Sequence, residues 1–83
     1  MTLAFSRKIP KSHVQVWTEE WRASHGPGGP RGRGRWGFEI RTTLNHTEDE
    51  QFWPEGYLLY SEAKALAIAF AASRGSYSIG VLP

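Results

Sequence analysis

The chain has 83 residues, no cysteine and a formal net charge of +2, which is enough for one domain and leaves no room for a second. That composition excludes a disulfide framework and any thiolate metal site, and it matches a reducing, cytoplasmic setting. The longest apolar run, residues 65–72, falls far short of the roughly 20 residues a membrane helix needs, and no secretory leader is expected from the first residues.

Charge is unevenly spread. Residues 1–47 carry eight Lys/Arg against Glu19, Glu20 and Glu39, a balance of +5. Residues 48–83 carry Lys64 and Arg74 against Glu48, Asp49, Glu50, Glu55 and Glu62, a balance of −3. If folding preserves that split, the molecule has a basic and an acidic side.

In chain order, Leu3 and Phe5 are candidates for an edge strand, followed by a basic segment of Arg7, Lys8 and Lys11 around Pro10. Val14 and Val16 alternate with Gln15 and Trp17, a period-2 pattern that predicts a first strand continuing towards Arg22. Residues 24–34, with five glycines and two prolines, are predicted to be a long flexible loop without helix or regular strand. Trp36, Phe38 and Ile40 alternate with Gly37, Glu39 and Arg41, and this second strand pairs most simply with the first as an antiparallel hairpin.

Residues 44–51 read as a polar, acidic connection, Phe52 to Gly56 as a turn, and residues 57–60 as a short third strand. A helix is predicted over residues 63–74, with Ser61 as its N-cap, Glu62 in the first turn, Arg74 in the last and Gly75 ending it. Tyr77, Ile79 and Val81 alternate as a final strand. The expected fold is α+β: a small antiparallel sheet of three to four strands with one helix packed on it, in the order β-β-(β)-α-β.

The predicted helix has two apolar sides, Ala63, Leu66, Ala67 and Phe70 on one and Ala65, Ile68, Ala69 and Ala72 on the other. A helix lying on a small sheet needs one such stripe. Either a terminal segment covers the second side or that side is a candidate interface, including one with a second copy in a homodimer.

The segment from Gly26 to Trp36 alternates Arg31, Arg33 and Arg35 with glycines and runs into an aromatic. Flexible arginines beside a tryptophan are suited to phosphate contact with base stacking, the stacking supplied by Trp17, Trp21 or Trp36. They are equally suited to pairing with carboxylates of a protein partner, or simply to keeping a hairpin loop soluble.

The run Glu48, Asp49 and Glu50 after His46 lacks the ligand spacing of a calcium loop. His13, His25 and His46 lie in separate segments, and no nucleophile sits in a recognisable motif. No enzyme activity, cofactor or metal is therefore expected.

Residues 34–41, Phe52, and Ser61-Glu62-Ala63 opening an alanine-rich helix resemble a pattern in AP2-type and phage-integrase arm-type DNA-binding domains. There, a Trp-bearing strand is followed by a further strand leading into a helix. The resemblance covers residues 33–73 and implies a DNA-contacting sheet face using Arg33, Arg35 and Arg41. The acidic connection and Pro54 depart from it.

By type alone, the chain is also similar to small accessory proteins of phages and mobile elements, including anti-CRISPR inhibitors. That resemblance implies stoichiometric docking on a nucleic-acid-handling complex.

The first expectation is a non-enzymatic accessory protein that binds a protein or nucleoprotein complex. Its contact would comprise Arg31, Arg33, Arg35, Trp36 and the acidic residues Glu48, Asp49 and Glu50. Direct DNA or RNA binding through the same arginines with Arg41 is the alternative, and a homodimeric interaction protein the third.

Overall fold

A computed structural model describes residues 8–41 and 49–83. The expectations attached to Leu3, Phe5, Arg7, His46 and Glu48 lie outside the described residues. A 3-10 turn at Lys11–His13 leads into β1 (Gln15–Trp17), α1 (Glu19–His25), β2 (Arg33–Gly34) and β3 (Phe38–Ile40). Next come β4 (Glu50–Phe52), β5 (Leu58–Leu59), α2 (Tyr60–Ser73) and β6 (Ser78–Val81). The class is α+β.

The main sheet is mixed, in the order β1-β6-β3-β4, and β2 with β5 forms a separate two-stranded ladder. The expected hairpin between the first two strands does not form. Strand β6 lies between β1 and β3, parallel to β1 with Val16 opposite Ile79, and antiparallel to β3 with Ile40 opposite Ile79. Ile79 and Val81 are almost fully buried, so the most central position suits them best.

The first strand also stops earlier than its alternation suggests. Glu19 and Glu20 enter the first turn of α1, where the exposed N–H groups favour negative charge, and residues 19–25 are helix, not strand. Ser24 and His25 therefore belong to α1 and Arg33–Gly34 to β2, so both ends of the expected loop are regular structure.

Helix α2 begins at Tyr60, ahead of the expected start. Leu59 holds the N-cap position in an extended conformation, and the Glu62 carboxylate accepts the Leu59 N–H at 3.1 Å. Ser61 thus lies inside the first turn. At the other end Gly75 adopts φ 75°, its N–H donates to the Ala72 carbonyl at 3.1 Å and the Ser76 N–H to that of Ala71 at 2.9 Å. This paired closure uses the left-handed conformation that glycine supplies without a Cβ penalty.

Ala63, Ala67 and Ala71, one turn apart, form a buried ridge that lets the helix approach Phe38, Ile40, Ile79 and Val81 closely. Larger side chains flank the ridge: Phe70 stacks on Phe52 with ring centres 4.5 Å apart, whereas Leu66 is half exposed. Of the second apolar side, Ala72 is buried, Ile68 and Ala69 are half-buried and Ala65 is exposed. Ile9 packs against the core, and its N–H donates to the Ala72 carbonyl at 3.0 Å. A segment ahead of β1 thus closes one end of that side.

Candidate functional site

One face of the main sheet carries the core; the other carries Gln15, Trp17, Glu39, Gln51, Ser78 and Gly80, as the register dictates. On this second face two planar groups press against glycines, the Trp53 ring by its face and the Arg41 guanidinium by one end. A Cβ on Gly37 would meet the Trp53 ring at 2.5 Å, and one on Gly80 would meet an Arg41 guanidinium nitrogen at 2.8 Å. The Trp53 indole N–H donates to the Gln51 side-chain oxygen at 3.1 Å, and Arg41 donates to the Ser78 hydroxyl at 3.1 Å. Trp17 and Trp53 are 41% and 46% exposed. Trp17, Glu19, Glu20, Arg41 and Gly80 surround a shallow concavity of about 250 Å³. Three acids (Glu39 included) surround Arg41, so this face is not basic.

Positive charge collects elsewhere, at the end of the sheet reached by α1. A concavity of about 330 Å³ is lined by Trp21 and His25 from α1, Arg31, Arg33, Arg35 and Trp36 from the glycine-rich segment, and Leu82 and Pro83. All three arginines are exposed.

The segment bearing them is anchored. The Gly32 carbonyl accepts from the Tyr60 N–H at 2.8 Å and from the Trp36 indole N–H at 3.1 Å. Gly32 itself sits at φ 89°, which a side chain would strain. The ladder of β2 with β5 then fixes Arg33 opposite Leu59.

The aromatic side of the concavity is continuous with the core. Trp36 meets Tyr60 edge-on with ring centres 5.0 Å apart, and Tyr60 lies 6.4 Å from Phe38. Burial among these rings raises the Tyr60 hydroxyl above its ordinary pKa. Trp21 is tilted against Trp36 at 6.0 Å, and His25 stacks on Trp21 at 4.3 Å with only 8° between planes. His25 Nδ1–H donates to the Trp21 carbonyl at 3.1 Å, which holds the ring in that stack. Arginines therefore stand beside rings positioned by the core.

Among the described residues, no acidic side chain lines this concavity, and none is within ion-pair distance of Arg31, Arg33 or Arg35. Glu50 is engaged on the core side of the sheet, where Arg74 contacts its carboxylate at 2.8 Å while lying 4.5 Å over the Phe70 ring. Asp49 immediately precedes β4. The sequence-level site thus divides into three places: Arg31, Arg33, Arg35 and Trp36 at the concavity, Arg41 on the open sheet face, and Glu50 with Arg74.

His25 is the member of the cluster that sequence reasoning missed. The signal was available in Trp21 and His25, four residues apart after two acids, which is one helical face once residues 19–25 are read as helix.

Among the described residues, no three His, Cys, Asp or Glu side chains converge as a metal site, and no helix is long and apolar enough to cross a membrane. No protein-family model, curated protein or solved structure matches the chain.

Proposed function

We propose that the chain is a non-catalytic binding protein that contacts nucleic acid through the Arg31–Arg33–Arg35 concavity, with no cofactor. The observation that carries this reading is the meeting of three exposed arginines with Trp21, His25 and Trp36 in a concavity that, among the described residues, no acidic side chain lines. Guanidinium groups neutralise phosphates and release their counterions, while rings beside them offer apolar contact to sugar and base. The acids of α1 lie on its other flank, towards Arg41, so they leave the arginine concavity clear.

The test is a titration of labelled DNA and RNA with the wild type and with an Arg31/Arg33/Arg35→Ala variant across a salt series. The expected loss is of affinity together with about two to three units of the slope of log K against log salt. Equal binding by the two proteins, or no binding by the wild type at low salt, overturns the reading.

The open sheet face favours a second reading. Two exposed tryptophans with a mixed-charge rim have the composition of a protein-docking surface. Under this reading the chain is an accessory protein that docks on a nucleic-acid-handling complex and modulates it, in the manner of anti-CRISPR inhibitors. Trp17→Ala and Trp53→Ala would then abolish capture by such a complex and leave binding of free nucleic acid unchanged.

A further inference from the structure

The shape of the concavity bears on which form of nucleic acid it accepts. His25 is exposed, yet its ring is held parallel to Trp21, 4.3 Å away, by its own hydrogen bond to the Trp21 carbonyl. One imidazole face is therefore occupied and the other points outward from an ordered two-ring stack. Trp36, tilted against Trp21 and bonded to the Gly32 carbonyl, fixes the inner end of the same array. A stack built in this way is extended by one more flat ring at little entropic cost, because its members are already immobilised.

We infer that the concavity binds single-stranded nucleic acid, with one base stacked on the outer face of His25 and the neighbouring phosphates on Arg31, Arg33 and Arg35. This rests on the nucleic-acid reading above and narrows it. A duplex keeps its base faces inside the helix and offers the concavity phosphates only, whereas a single strand presents free π-faces. Stacking reads no base edge, so little sequence preference is expected beyond stacking strength.

Three probes of equal length separate the possibilities: a labelled oligothymidylate, an abasic strand with the same number of phosphates, and the oligothymidylate annealed to its complement. Binding is read by anisotropy and by quenching of tryptophan fluorescence, with the full chain and with its His25→Ala and His25→Phe variants. The oligothymidylate is expected to bind roughly 5- to 150-fold more tightly than the abasic strand, the range one base–aromatic stack supplies. His25→Ala should reduce that difference, and His25→Phe, which keeps a flat ring but loses the hydrogen bond to the Trp21 carbonyl, should retain part of it. An unchanged difference in His25→Ala overturns the assignment to His25. Circular dichroism checks that both variants retain the fold, as expected for an exposed ring.

Equal affinity for the base-bearing and abasic strands overturns the stacking inference while leaving the phosphate-contact reading intact. Tighter binding of the duplex than of the single strand also overturns it. Failure of all three probes to bind at low salt removes both readings together.

Discussion

Helix α2 supports a stability test whose two halves differ only in which way one residue faces. Ala67 is fully buried in the ridge against the sheet, while Ala65, two residues away, is exposed. Replacing either by leucine adds the same three carbons and nearly the same helix propensity. At 67 those carbons enter a site bounded by Phe38, Ile40, Ile79 and Val81, so the helix must lift or the side chain must leave its rotamer. Such overpacking costs about 1–3 kcal/mol. A chain of this length has a total stability of about 4–12 kcal/mol, so Ala67→Leu should lower the melting temperature by about 5–20 °C. Ala65→Leu should stay within about 0.5 kcal/mol of wild type. Urea unfolding followed by tryptophan fluorescence and circular dichroism measures both, with the denaturant slope expected to be unchanged. Equal costs, or a larger cost at 65, would refute the orientation of the helix.

Further expectations concern the open face, the charged pair and the aromatic core. Gly37→Ala must drive the Trp53 ring off the sheet and break its 3.1 Å bond to Gln51, at a cost of about 1–2 kcal/mol; a red shift of tryptophan emission should accompany it, and an unchanged spectrum would contradict the packing. Glu50→Gln should cost less than about 1 kcal/mol, because both members of the pair with Arg74 are substantially exposed, and the cost should shrink with added salt. Burial raises the Tyr60 pKa in the folded chain, so the unfolded chain loses its proton first. The corresponding stability is present below about pH 10 and falls as pH rises beyond it. Tyr60→Phe should therefore flatten the alkaline limb of a stability–pH curve, and an unaltered limb would show that another group governs it.

Local physics was legible in the sequence where one residue decides the outcome. Gly75 ends α2 because the left-handed position after a helix tolerates it best, and the alternation around Phe38 and Ile40 marks a strand with one buried face. Strand partnership was not legible, because the alternation of Val14 and Val16 says which face is apolar and nothing about the neighbouring strand. Here β6, distant in sequence, takes the place that a hairpin argument gives to the strand next in line. The orientation of α2 was hidden for a related reason: alanine and larger apolar residues surround the helix, so periodicity alone does not choose the buried ridge. At the concavity, the arginines and Trp36 stood out as a cluster in sequence, while His25 required knowing that α1 exists.

The place of β6 between β1 and β3 also governs the order in which the structure can assemble. Every other element precedes β6 in the chain, and neither β1 nor β3 has its inner partner until residues 78–81 arrive. A chain emerging from the ribosome can form the turns of α1 and α2 and the β3–β4 pair early, but the main sheet closes only with the final described strand. Such long-range closure slows folding relative to hairpin-built sheets of the same size. It also leaves the inner edges of β1 and β3 unpaired during synthesis, when chaperones or another chain can reach them.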